Sequence, residues 1–296
     1  MGLRINNNVA AFNAYRNLSV TDGQMTKSLE RLSSGYRINR AADDAAGLAI
    51  SESLRSQITG LKVAVRNAQD GISVVQTTEG ALNETTSILQ RMRELAVQAS
   101  NGGSEDTTAQ ADADTEFKQL AQELDRIANT TKFGAQSLLN VGLSGSTGYA
   151  GIFQVGAEAS SSNPANIITV DMTASGAFNG TTITGVDSLG LQLNTASVTL
   201  TSTANATSAI TSLDTALKDV STVRATLGAY QNRFEHTINN LNVAVENLSA
   251  SESRIRDTDM ASEMVNFTRS QILSQAGTAM LAQANQSPQS VLKLLQ

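Results

Sequence analysis

The sequence predicts a mainly α protein, with long antiparallel coiled-coil rods drawn from both chain halves and a small β-hairpin and loop region in the middle. Three observations carry this. From Ile58 the steps alternate 3 and 4 through Leu61, Val65, Ala68, Ile72, Val75, Leu82 and Leu89, with polar residues only at Glu79 and Thr86. From Ile210 the same alternation holds over 46 residues to Ile255, through Leu213, Leu217, Val220, Leu227, Phe234, Ile238, Leu241, Val245 and Leu248. Between the two stripes lies a long segment without helical period. A repeat of 3.5 rather than 3.6 asks for a partner helix winding left-handed around the first. At 1.5 Å per residue each rod would be roughly 80 Å long, beyond what an ordinary globule contains.

Composition agrees. The chain has 296 residues, 16% charged and 4% aromatic, with no Trp and a formal charge of -6. Ser, Thr, Asn and Gln supply the polarity. Such a chain suits thin, Ala-rich helix packing. The heptads are too regular for disorder. No Lys/Arg stripe exists to neutralise phosphates, so nucleic acid is not an expected partner. There is no Cys, which excludes disulfides, thiol catalysis and Cys-ligated zinc. No stretch approaches 18 consecutive apolar residues, so no membrane span is expected, and Met1 to Asn13 lacks the apolar run of a cleaved signal peptide.

In chain order, residues 1–33 read as a helix, with Ile5, Val9, Phe12, Tyr15 and Leu18 crowding one side and Met25, Leu29 and Leu32 continuing it. Ser33-Ser34-Gly35 marks its end. Residues 34–44 have no period and read as a connector, with Asp43 or Asp44 placed to cap the next helix. The first rod runs from Leu48 to about Ala99 and stops at Asn101-Gly102-Gly103-Ser104. A third helix spans Thr108 to Thr130, with Phe117, Leu120, Leu124 and Ile127 on one face. The short linker makes it an antiparallel neighbour of the rod.

Residues 141–151 are Gly/Ser-rich. Residues 151–156 and 167–171 read as short strands, and 173–203 as hairpins or loops in which Leu189, Leu191 and Leu193 alternate. After the second rod, 259–296 is helical again. Leu273, Gly277, Met280, Ala284, Val291 and Leu294 share a stripe, Ile272, Ala276 and Ala279 lie beside it, and Pro288 should kink or loosen the helix. Asp257 and Asp259 sit where a cap is expected. The two ends therefore carry more apolar face than one helix pair can bury. They should order fully only against copies of themselves, because ordering costs roughly 1–2 kcal/mol per residue. Head-to-tail contacts of this kind do not close, and they build a helical filament.

No catalytic, cofactor or metal site is expected. His236 is a lone His on a helix surface, too isolated for zinc. Asp112, Asp114 and Glu116 mimic the start of a calcium loop, but Phe117 stands where Gly is required. The Gly-rich run at 142–151 lacks the Gly-Lys-Ser/Thr ending of a phosphate loop. Only Gln90–Gln98 stands out: Arg91, Arg93 and Glu94 load a helix turn beside the apolar edge of Leu89 and Met92, either as a solvated face or as an interface.

These residues name a resemblance. Leu3-Arg-Ile-Asn-Asn-Asn8, Leu29-Glu-Arg-Leu-Ser-Ser-Gly-Tyr-Arg-Ile-Asn39, Ala41-Ala-Asp-Asp-Ala-Ala-Gly-Leu-Ala-Ile50, Gln90–Gln98, Gly228-Ala-Tyr-Gln-Asn-Arg-Phe-Glu-His-Thr-Ile-Asn-Asn-Leu241, Glu252-Ser-Arg-Ile-Arg-Asp-Thr-Asp-Met260 and Met280-Leu-Ala-Gln-Ala-Asn-Gln286 together resemble bacterial flagellin, over about two-thirds of the chain and in family order. The resemblance implies a subunit of the extracellular flagellar filament, of compact type with little or no outer variable domain. It implies that 1–44 with 259–296 form an inner tube, that 45–172 with 201–258 form a rod-like bundle with a small β region, and that 173–200 is a short variable surface segment. Inter-subunit packing then falls to Leu29, Leu32, Leu273, Met280, Leu292 and Leu295. The implied partners are many copies of the chain itself, the flagellar type III export apparatus, an export chaperone, and the cap and hook-junction proteins. Members of the family are also recognised by an innate immune receptor, Toll-like receptor 5. The positions matching that interface are Arg91, Leu95 and Glu116. The alternatives are a flagellin-like protein of the hook–filament junction and a secreted rod-shaped adhesin or effector.

Overall fold

The computed structural model describes residues 8–102, 106–139, 150–158, 164–171, 191, 193 and 198–294, with side chains in the last helix described to residue 286. Five helices account for most of them: α1 (Val9–Ser34), α2 (Ala45–Ala99), α3 (Thr107–Thr130), α4 (Thr203–Arg256) and α5 (Met260–Leu294). Two antiparallel hairpins join them, β1 (Lys132–Phe133) with β2 (Gln136–Ser137) and β3 (Ala150–Gln154) with β4 (Ile167–Asp171). The chain divides into two compact units, one of Thr59–Val245 and one of Met1–Ile58 with Glu246–Gln296.

In the first of these units α2 and α4 run antiparallel. Gly71 meets Phe234, Glu79 meets Arg224, and Arg93 meets Asp214, so one helix climbs as the other descends. Most of the seven-residue positions read from sequence are buried in both, Ala68, Val75, Leu82 and Leu89 in α2 and Leu213, Val220, Leu227, Phe234 and Leu241 in α4, while Leu61 and Leu248 at the ends are half-buried. The alternate seam position is a correction. It lies one residue earlier than the hydrophobic stripe suggested. In α2 it holds Ala64, Gly71, Thr78, Thr85, Met92 and Ala99, and in α4 Ala209, Ala216 and Val223. Val65, Ile72, Leu217 and their like flank the seam, half-buried.

The physical reason is size. Small residues let the two backbones approach, and the larger flanking side chains close the edges. The buried threonines remain satisfied because Thr78 Oγ1 donates to Val74 O at 2.8 Å and Thr85 Oγ1 to Ala81 O at 3.0 Å. At Gly71 even a methyl group is excluded, since an added Cβ would lie 2.6 Å from Phe234 Cζ.

The helix α3 closes the third side with Phe117, Ala121, Leu124 and Ala128 buried. Asp106 caps it, and Gln110 Nε2 donates to Ala99 O at 3.1 Å, satisfying a carbonyl at the end of α2. The β3–β4 hairpin appears where strands were expected. Phe153 meets Phe234 edge to face at 5.5 Å, and Asn67 Nδ2 donates to Gln154 O at 2.9 Å. The β1–β2 hairpin turns at Gly134, whose φ is +62°. Leu191, Leu193 and Leu200 also enter this core. That end of the 173–200 segment is therefore interior rather than surface; most of the rest, Leu189 included, lies outside the described residues.

In the other unit α1 and α5 are antiparallel. Asn8 Nδ2 donates to Ala284 O, Ser274 Oγ to Asp22, and Arg31 pairs with Glu263. The helix α1 ends at Gly35, whose φ of +76° completes a left-handed cap. The connector then bridges to the end of α4: Arg37 N donates to Arg256 O at 2.7 Å and Thr258 N to Gly35 O at 2.9 Å. Ile38 is buried within this joint. The two aspartates divide the work. Asp44 caps α2 through Gly47 N at 2.8 Å, while Asp43 gathers the amides of Asn39 and Arg40 and pairs with Lys27 at 2.7 Å. Lys27 and the two amides hold the Asp43 carboxyl down to about 2, from 3.8. Asp259 caps α5 through Ala261 N and Ser262 N. The helix continues past Pro288 to Leu294.

Outside the seams the long helices are polar but sparsely charged. Many Ser and Thr hydroxyls bond back to their own helix, as Thr207 does to Thr203 O, Thr222 to Lys218 O and Thr77 to Ser73 O.

Candidate functional site

The α1–α5 pair buries only part of its apolar surface. The residues of α5 turned towards α1 are Glu263, Phe267, Ser270, Ser274, Gly277, Leu281 and Ala284, again at steps of 4 and 3. Those of α1 turned towards α5 include Ala14, Leu18, Met25, Ser28 and Leu32. Small and polar side chains such as Ser28, Ser270, Ser274 and Gly277 share this seam with Leu18, Met25, Leu32, Phe267 and Leu281. Gly277 sits against Leu18, where a Cβ would come within 3.2 Å of Leu18 Cδ1. Bulky apolar residues lie outside it: Val9, Phe12, Tyr15, Val20 and Leu29 on α1, and Val265, Ile272, Leu273 and Met280 on α5.

The stripe read through Leu273 and Met280 is thus not the intramolecular seam, which among the described residues shares Gly277 and Ala284 with it. Small residues such as Gly277 let the two backbones approach, and a second set of large residues is left in solvent. Leu29 is 56% exposed, Leu273 49% and Met280 64%, whereas Leu32 is half-buried. Leu292 lies in α5 with its side chain outside the described residues, and Leu295 lies outside them altogether. Met264, Val265, Ile272 and Leu273, with Arg269 and Thr268, line an open apolar concavity of about 470 Å³ on α5. A monomer rarely exposes so continuous an apolar strip without a partner for it.

A second feature lies where α3 flanks α2. Arg91 reaches Glu116 at 2.8 Å and Glu94 at 3.2 Å. The Glu116 hydrogen bond, then that of Glu94, raises the Arg91 guanidinium above its ordinary value. Arg93 pairs with Asp214 at 2.6 Å. Leu95 differs from the expectation of a surface triplet. It is 3% exposed and packed in the core with Met92 and Ala96, because α3 covers that side of α2. Only Arg91 and Glu116 present side chains to solvent.

Asp114, first noted as a chance calcium-loop mimic, is buried and structural. It accepts Leu200 N at 2.8 Å and pairs with Lys118 at 2.6 Å, tying the entry to α4 onto α3. Its place on the Phe117 side of an amphipathic helix was the available signal. His236 is exposed on α4. Among the described residues no group of three or more His, Cys, Asp or Glu could hold a metal ion, and no helix is long and apolar enough to cross a membrane.

A chain of paired long helices, with a row of bulky apolar residues still exposed on the terminal pair, belongs to the class of self-assembling structural subunits. Residues 5–142 match the bacterial flagellin N-terminal helical region and residues 210–295 the bacterial flagellin C-terminal helical region. The chain is 52% identical to the flagellin of Halalkalibacterium halodurans, over 98% of this chain and 99% of that protein. It is 47% identical to the flagellin of Bacillus subtilis, over 99% and 100%. The crystal structure of Bacillus cereus flagellin is similar at 32% identity and a TM-score of 0.47, over 60% of this chain and 88% of that one. The chain belongs to the bacterial flagellin family. It is a non-catalytic structural subunit that polymerises with copies of itself into the extracellular flagellar filament used for motility.

Proposed function

We propose that the outward faces of α1 and α5 are the polymerising surfaces. Leu29, Leu273, Met280, Leu292 and Leu295 would pack against other copies, Leu32 would add the part that α5 leaves uncovered, and 1–44 with 259–296 would line an inner tube. Residues 45–172 with 201–258 would form the shell around it, and 173–200 a short segment that reaches the surface away from its core residues Leu191, Leu193 and Leu200. One observation carries this: the α1–α5 contact leaves a second set of bulky apolar residues, Phe12, Tyr15 and Leu29 on α1 and Ile272, Leu273 and Met280 on α5, facing solvent. Burying each exposed Leu or Met against a neighbour is worth about 1.5–3 kcal/mol, which repeated contacts would multiply. The type III export apparatus, an export chaperone, and the cap and hook-junction proteins complete the proposed set of partners, by analogy with the family.

The test is seeded elongation by Leu273→Asp. Leu273 is half-exposed in the monomer, so the charge leaves helix content by circular dichroism as in the parent. It should stop growth from sheared seeds under the electron microscope. Tubes as long as the parent's would refute the assignment.

A second surface is proposed for an immune receptor of the Toll-like receptor 5 type. Arg91 and Glu116 would supply its polar contacts and Leu95 would support them from the core. The solvent-facing Arg91–Glu116 pair favours this reading. Arg91→Ala with Glu116→Ala should weaken receptor signalling by monomer while polymerisation is unchanged; equal signalling would sink the idea. Leu95→Ala is a poorer probe, because truncating a buried Leu costs about 2–5 kcal/mol of stability by itself.

A further inference from the structure

We infer that Met264 and Met280 are an oxidation site through which a peroxide closes the α5 face to assembly. The inference rests on the reading of that face as a polymerising surface.

Thioether oxidation follows exposure. Met264 is 49% and Met280 64% exposed, one residue to either side of the seam positions Glu263 and Leu281. Met264 also lines the apolar concavity with Val265, Ile272 and Leu273. Met92 is 0% exposed in the core of the other unit and serves as an internal reference within the same chain. In the reaction the sulfur lone pair attacks one peroxide oxygen. An S–O bond forms, the O–O bond breaks, and the departing oxygen takes the proton and leaves as water. Sulfur loses two electrons and the peroxide gains them.

The product is a sulfoxide, a strong hydrogen-bond acceptor. In the monomer it faces water at little cost. Packed against the apolar face of another copy it would be desolvated without a donor, which penalises the polymer alone. Subunits already in a filament have this face covered and should oxidise more slowly than monomer.

The experiment treats monomer with hydrogen peroxide, quenches it with catalase, maps each Met by peptide mass and measures seeded elongation. Sulfoxide should appear at Met264 and Met280 well before Met92. Elongation should fall about tenfold or more and return after treatment with methionine sulfoxide reductases. Met264→Leu with Met280→Leu should keep elongating after the same exposure. Should that variant grow slowly untreated, reductase rescue of the parent decides the matter. Undiminished elongation by fully sulfoxidised parent, or equal loss in the double variant, would overturn the inference. Normal growth by Leu273→Asp would instead remove the reading of the α5 face on which it rests.

Discussion

Gly71→Ala sets helix propensity against packing, and the two disagree in sign. Gly71 lies deep within α2, where Ala is worth about 1 kcal/mol more than Gly in an exposed helix. Propensity alone therefore predicts a stabilised protein. The structure predicts the reverse. The new Cβ would stand 2.6 Å from Phe234 Cζ and 2.9 Å from Cε1. The ring has no free direction of retreat, being fully buried and set edge-on against Phe153. Overpacking of this kind costs about 1–3 kcal/mol, so the net change is a loss of up to about 2 kcal/mol. Urea unfolding of the full chain, followed by far-UV circular dichroism with Phe-region absorbance as a second probe, measures it. Adding Phe234→Leu, which removes the obstructing ring edge, should recover part of the loss, with a coupling of about 1–3 kcal/mol. A Gly71→Ala chain more stable than the parent, or one whose effect simply adds to that of Phe234→Leu, would refute the account of the seam.

Asp114→Ala should destabilise the α3–α4 contact by about 1–3 kcal/mol, because Leu200 N loses its buried acceptor; faster amide exchange at Leu200 checks it. Asp43 predicts an acid-sensitive connector. Its folded value is depressed to about 2 from 3.8, so its contribution is complete above about 3.8 and is lost as pH falls through about 2. Amide protection at Asn39 and Arg40 should fall across that window in the parent, and Asp43→Asn should abolish the pH dependence rather than shift it.

Much of this architecture is legible in a single sequence. The rod positions that repeat every seven residues, Leu82 and Leu89 or Leu213 and Leu227, are large and apolar, so periodicity finds them. Their alternates are harder to see. Ala64, Gly71, Thr78 and Thr85 are buried through proximity, and a hydropathy stripe passes over them to the bulkier neighbours at 65, 72, 79 and 86. In α5 likewise Leu273 and Met280 carry the apolar signal, while Ser270 and Ser274, with the Gly277 of that same stripe, make the contact. Leu95 illustrates the converse. Its turn is crowded with charge, and only the placement of α3 shows that the leucine points inward. The β1–β2 hairpin has two residues in each strand, too few for alternation to register. Asp114 carried a misleading pattern, since its partner Leu200 is 86 residues away in the chain.

The hydroxyl-clad helices bear on the electrostatics of the polymer. A filament repeats the charge of its subunit at every step and so becomes a polyelectrolyte. Self-repulsion grows with the charge carried per unit length, and ions relieve it only beyond a Debye length of about 10 Å at 0.1 M salt. A surface made water-compatible by Lys and Glu would be exposed to imbalance at each added copy. Here Ser and Thr satisfy water and their own helix while leaving a formal charge of only -6 on 296 residues. Wettability and charge are thereby uncoupled by the side-chain chemistry along the rods.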